Sequence, residues 1–255
     1  MKLLGCCLAV ALTACQVVPI VGVTPRYGPM ELDGEVGISS QATVVTSTTD
    51  ALGIEQDDGV LSPRVDFSWG GFDTWASWYD ARFEGTGVAE GQIDLGGAVI
   101  GAGEPTDTEF DILLGTSGLT YDFIPGETVD ISVGLGVGYV DFDAEITSLT
   151  SGETVESAES FFMPLGAVRA AWAFSTLELS AVVTGFAWKV DEDEVEVFDG
   201  DAMLSWKFLH AGDMQGGLVV GYRLTSVSAN YEQDDSTFDT ELDFSGPYAG
   251  LTIQL

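Results

Sequence analysis

Cysteine stops at residue 15. The chain has three, Cys6, Cys7 and Cys15, so everything beyond holds no disulfide, no thiol nucleophile and no thiolate-bound metal. Histidine occurs once, at His210. A lone ring removes paired-His metal sites, and its expected place is an exposed turn. Basic residues are scarce: 8 Lys and Arg stand against 41 Asp and Glu, a net charge of -33. Phosphate binding needs cations, so nucleic acid is excluded as a partner. After the first 14 residues, no apolar run approaches the roughly 18 residues of a spanning helix. These residues call for no cofactor and no enzymatic activity.

What is present is a contradiction. The mean hydropathy is positive, +0.23, in a chain this acidic. Apolar and acidic residues must therefore be segregated along the sequence. There are 32 Gly and 14 Phe but only 8 Pro, a composition of many strands in one domain. The cleanest strand is 129–139. Val129, Ile131, Val133, Leu135, Val137 and Tyr139 alternate with Asp130, Ser132, Gly134, Gly136 and Gly138. A bulky face opposite a small polar face fits a narrow barrel with lipid outside, for which about 9–11 residues span the bilayer. The expected fold is all-β, a transmembrane antiparallel up-and-down barrel of ten strands, with eight or twelve as the alternatives. The expected strands lie near 31–46, 60–69, 72–85, 105–122, 128–145, 160–174, 177–190, 199–209, 215–230 and 238–255. Residues 91–100 are either a further strand or a folded-over loop.

The connections alternate in length. Gly70-Gly71, 123–127, Ser175-Thr176 and 210–214 are short; 47–59, 86–104, 146–159, 191–198 and 231–237 are mostly longer and carry most of the loop acids. Short turns inside and long loops outside are the asymmetry of outer-membrane barrels, and ten strands put both termini on the periplasmic side. The end, Tyr248-Ala249-Gly250-Leu251-Thr252-Ile253-Gln254-Leu255, alternates and stops on an apolar residue. It resembles the C-terminal insertion signal of bacterial outer-membrane barrels, with Leu255 in place of the usual Phe. The resemblance implies that 248–255 engages the barrel-insertion machinery. At the other end, Lys2 precedes a short apolar run and Leu12-Thr13-Ala14-Cys15 resembles a bacterial lipobox. That resemblance implies a signal peptide over 1–14 and a lipid on Cys15. Residues 15–30, with Pro19, Pro25 and Pro29, read as a tether, and 31–255 as the barrel.

Eight charged residues are expected on the lumen face: Arg64, Asp66, Asp80, Arg82, Asp130, Arg169, Glu178 and Arg223. Charges are costly toward lipid and tolerable inside when paired. They either line a narrow pore or form an ion-pair plug. Asp191, Glu192, Asp193, Glu194, Asp234 and Asp235 are candidates for weak divalent-cation binding, though none has the spacing of an EF-hand loop; the plainer reading is a solvated acidic surface. Trp69, Trp75, Trp78, Trp172, Trp188 and Trp206 fall near strand ends, as aromatic girdles would. The functions left open are a structural or narrow cation-preferring pore with acidic external loops, a surface-binding barrel, and a lipid-tethered soluble β-protein of the periplasm.

Overall fold

The computed structural model describes residues 19–40, 46–54, 57–95, 98–126, 128–190, 193–233 and 236–255. Fifteen strands follow in chain order: β1 (Ile20–Thr24), β2 (Arg26–Ser40), β3 (Thr46–Thr48), β4 (Asp57–Leu61), β5 (Arg64–Trp69), β6 (Phe72–Val88), β7 (Ile93–Leu95), β8 (Ala98–Ile100), β9 (Pro105–Ile124), β10 (Val129–Ser148), β11 (Thr154–Phe174), β12 (Leu177–Val190), β13 (Asp193–Ala211), β14 (Met214–Gln233) and β15 (Ser236–Gln254). β1 and β2 flank Pro25 and form one strand of the wall. β4 and β5 flank Ser62-Pro63 and form the next. With β6 and β9 to β15 they make a closed barrel of ten antiparallel strands. The seam closes where Leu255 N donates to Val21 O at 2.9 Å and Val21 N donates to Leu255 O at 3.1 Å. Farther along, β15 pairs β2 from Glu31↔Ser245 to Ser40↔Ser236.

The wall starts at Ile20, ahead of the strand expected near 31, so residues 20–30 belong to the barrel and not to a tether. Prolines made this stretch read as coil, because Pro has no N–H for a ladder. Here Pro25 falls at the break between β1 and β2, and its carbonyl still accepts from Leu251 N at 3.2 Å. Within 91–100, β7 and β8 pair antiparallel with each other, apart from the wall. Ile93 and Ile100 pack with Ala89, Ile146 and Val155.

The end where the described barrel begins and finishes, called the near end below, has tight turns, including Gly70 and Gly71 at φ 59° and 86° and Ser175 at φ 57°. The opposite end, called the far end below, differs from expectation. Several acidic stretches expected as loops are strand. β11 begins at Thr154 and so carries Glu156 and Glu159; β13 begins at Asp193 and carries Glu194 and Glu196; β14 runs to Gln233 and carries Glu232. Acidic residues disfavour strands as isolated segments, but pairing with both neighbours overrides that weak preference. Strands of 19 to 21 residues result. That is about twice the 9–11 residues a membrane crossing needs.

The surplus length changes what each face of the sheet does. On β10, Val133, Leu135 and Val137 are exposed while Ser132 and Gly138 are buried. Leu135 is 74 % exposed. Past Tyr139 the pattern inverts: Asp141, Asp143 and Glu145 point outward, and Val140, Ala144 and Ile146 are buried inside. On β9, Leu119, Tyr121 and Phe123 are exposed near the termini, but farther on Asp107, Glu109 and Asp111 take the outer face over buried Phe110 and Ile112. On β6 the outer face passes from Phe72 and Trp78 to Asp80, Arg82 and Glu84. An outward apolar belt requires lipid, and an outward acidic face over an apolar interior requires water. One continuous sheet is thus a membrane barrel near the termini and a water-flanked barrel beyond.

Aromatic rings mark both edges of the belt. Trp69, Phe72, Tyr121, Phe123, Trp172, Phe174 and Trp206 lie on the near edge; Tyr27, Trp78, Phe162, Phe198 and Tyr222 lie on the far edge. Between them β10 contributes residues 129–139, the length of one crossing. Trp75 was expected in a girdle but sits inside the lumen, 4 % exposed. It lies flat on Gly118, where a Cβ would come within 2.2 Å of its ring. Tyr248 covers Gly221 in the same way, at 2.3 Å. Some lumen glycines are therefore beds for large inward side chains, not lining for an open channel.

Candidate functional site

The interior is built in three layers. At the mouth near the termini, Arg169 pairs with Asp73, and Lys207 Nζ donates to Glu178 at 2.6 Å. Asp122 and Asp130 converge on Asp73, with carboxylate oxygens within 4.8 Å of one another. Arg169 beside them supplies a counter-charge. The buried Ser132 hydroxyl donates to Thr120 Oγ1, which donates to the Asp73 carbonyl.

The middle layer reaches across the lumen. Arg26 projects from the first wall strand, donates through Nε to the Ser62 carbonyl at 2.6 Å and through Nη2 to Ser77 Oγ at 2.7 Å, and pairs through Nη1 with Asp201. Arg64 donates to Asp66 at 2.7 Å and reaches Asp201 at 3.3 Å. Tyr248 also donates its hydroxyl to Asp201 and lies under the Arg26 guanidinium, 4.6 Å from its carbon. Beside them Arg223 Nε donates to Asp199 at 2.9 Å, and Thr225 donates to the same carboxylate at 2.7 Å. Arg26, Arg64 and Arg223 thus face Asp66, Asp199 and Asp201, and the formal charges cancel. Buried ions persist when paired and hydrogen-bonded in this way.

The third layer fills the far half. Tyr79, Phe83, Phe110, Ile112, Leu114, Val140, Leu165, Leu242 and Phe244 form one apolar core. Tyr79 and Phe83 are each 0 % exposed. Phe83 meets Phe244 across the barrel with ring centroids 6.3 Å apart.

The expected lumen charges divide. Arg64, Asp66, Asp130, Arg169, Glu178 and Arg223 face inward. Asp80 and Arg82 do not: both are exposed on the outer face, and Arg82 Nε donates to Asp111 at 2.7 Å. The hydrogen bond to Asp111, with the charges of Asp111 and Glu109, raises the Arg82 pKa above its ordinary value. The rule that a barrel charge points inward holds only at membrane depth, and these two residues lie beyond the belt. Arg26, Asp73, Asp122, Asp199, Asp201 and Lys207 also belong to the interior and were not singled out from sequence. Arg26 was hidden in the supposed tether. Asp199 and Asp201 share parity with Met203 and Ser205, a signal that was present. Asp191, Glu192, Asp234, Asp235 and Cys15 lie outside the described residues. Asp193 and Glu194 open β13, where Glu194 pairs with Lys189.

The outer face of the far half carries like charges in register. Glu84 stands opposite Glu109, Glu109 opposite Glu145, and Glu145 opposite Glu156. Asp111 stands opposite Asp143, and Asp33 opposite Asp243. Such cross-strand pairs are destabilising. Glu145→Lys converts two of them into attractive pairs, and urea unfolding should show a gain of about 0.4–2 kcal/mol. A loss would contradict the observed register.

An apolar belt, paired aromatic rings and a closed ten-stranded wall define the fold of an outer-membrane β-barrel. No protein-family model matches the chain, and no curated protein does. Among solved structures, the outer membrane protease OmpT from Escherichia coli is similar in fold. It aligns with a TM-score of 0.52 over 92 % of this chain and 97 % of its own, at 8 % identity. The translocator domain of the autotransporter NalP from Neisseria meningitidis aligns over 98 % of this chain and 94 % of its own, at 9 % identity and a TM-score of 0.38. At 8 % identity the likeness to OmpT speaks to architecture alone.

Proposed function

We propose that the protein is a non-conducting, non-catalytic barrel lipoprotein of a Gram-negative outer membrane, holding an acidic column outside the cell. The observation that carries this reading is the buried, neutralised ion-pair layer inside the barrel, with an apolar core beyond it. The narrow cation-preferring pore is the competing reading. A planar-bilayer recording of the folded protein distinguishes them: the plugged barrel gives no unitary current, whereas cation-selective steps at low ionic strength would establish the pore.

The remaining assignments belong to the same proposal. Cys15 carries the lipid, because Leu12-Thr13-Ala14-Cys15 ends an apolar leader; Cys15→Ser should abolish palmitate labelling, and persistent label would refute it. The near end faces the periplasm, since both chain ends of the described barrel lie there with the short turns. Asp143→Cys should then react with an impermeant maleimide on intact cells. The segment 248–255 serves insertion. The lone His210 is exposed at the near end, away from the acidic face, which supports a non-catalytic role. A surface-binding role for the acidic face, through divalent cations or lipopolysaccharide, is favoured by its rows of facing carboxylates. Calcium titration of the unfolding midpoint tests that second reading.

A further inference from the structure

Where the ion-pair layer meets the apolar core, three buried polar groups lack a protein hydrogen bond of ordinary geometry: Tyr79 Oη, Thr184 Oγ1 and Arg223 Nη2. Their residues are 0 %, 1 % and 2 % exposed. They belong to one neighbourhood. Arg223 is bonded through Nε to Asp199, and Thr184 is the cross-strand partner of Asp199. The Tyr79 ring lies beneath the Arg223 guanidinium, 4.6 Å from its carbon to the ring centre. Protein groups take up most of the neighbouring acceptors, and the Thr225 hydroxyl lies beside Tyr79. Asp199 Oδ1 accepts from Arg223 and Thr225, Asp199 Oδ2 from Thr116 at 3.4 Å, and Ser77 Oγ from Arg223 Nη1 at 3.0 Å.

We infer that this point is a binding site for one ordered internal water, bridging Arg223 Nη2, Tyr79 Oη and Thr184 Oγ1. The donor and acceptor inventory selects the occupant. Arg223 Nη2 can only donate, so the occupant must accept there. The two hydroxyls can each accept, so the occupant can donate both of its hydrogens. Water satisfies all three at once, and buried waters typically make about three hydrogen bonds to such groups. A halide could take three donated hydrogens, but it would place a negative charge beside Asp199 in a layer whose three cations already match three carboxylates. A metal cation would meet the Arg223 guanidinium. The neutral occupant is the one that fits. It completes the polar layer at its inner limit, where the first wholly apolar side chains begin, and opens no path through the lumen.

The inference is independent of the barrel's biological role. A high-resolution crystal or neutron map of the folded protein tests it, with bromide replacing chloride in a second crystal. The expected result is one non-halide density within about 2.7–3.2 Å of all three groups. In the Tyr79→Phe, Thr184→Val double variant that density should be lost while the Arg223–Asp199 pair remains. Absence of the density from the wild-type map overturns the proposal. So does an anomalous bromide peak at the site, or a map in which the two hydroxyls bond protein groups instead. The wild-type maps decide the matter even if the double variant does not fold.

Discussion

Asp201→Ala is expected to cost about 3–5 kcal/mol of stability, the usual penalty for stripping one partner from a buried ion pair. Asp201 accepts from Arg26, Arg64 and Tyr248 together. Without it two guanidinium groups remain at membrane depth with one carboxylate fewer, and the Tyr248 hydroxyl loses its acceptor. Arg26 also ties the first wall strand to β13 across the lumen, so the loss weakens closure as well as charge balance. Urea unfolding in lipid vesicles should read the full effect. Asp201→Asn keeps an acceptor and should cost less. A loss below about 1 kcal/mol for the alanine variant, the scale of an exposed pair, would mean that water reaches this layer freely.

The second large effect compares two outward positions on one strand. Leu135→Arg places a charge in the lipid belt and should cost about 2–4 kcal/mol if the residue is near the midplane. Asp143→Arg lies on the same face of β10, eight residues farther on. It should be neutral or stabilising, because residue 143 stands opposite Asp111. The same unfolding assay on both variants decides the point. Equal costs would mean that lipid, or water, surrounds both positions, and the inversion would have no physical meaning.

The barrel was legible in the sequence because alternation is a local property. Val133, Leu135 and Val137 against Gly134, Gly136 and Gly138 show both the strand and its lipid face. Most strand boundaries follow from the same signal and from the Gly70-Gly71 and Ser175-Thr176 turns. The inversion was also written there. After Tyr139, acids occupy the parity that Val and Leu held before, while Val140, Phe142, Ala144 and Ile146 take the other. Reading one face along the whole strand concealed it, and the same assumption misplaced Asp80 and Arg82. The ion-pair layer was only partly legible. Arg64 and Asp66 are neighbours in sequence, but Arg26 and Asp201 are separated by 175 positions. Alternation tells which face a residue takes and not which distant residue waits across the lumen.

The switch of parity has a mechanical consequence. Sliding the barrel by one pair of residues toward its near end would carry Asp80, Asp111 and Asp141 into hydrocarbon and push Trp172 and Trp206 into water, and sliding it the other way would leave Trp78 and Phe162 beyond the lipid. Neither half can yield, since the strands run through both without a hinge and a single-residue slip would turn every far-half side chain inside out. Immersion depth is therefore locked into the sheet. In a bilayer thicker or thinner than the belt, the lipids must stretch or compress around the protein, which makes it a ruler for the membrane that surrounds it.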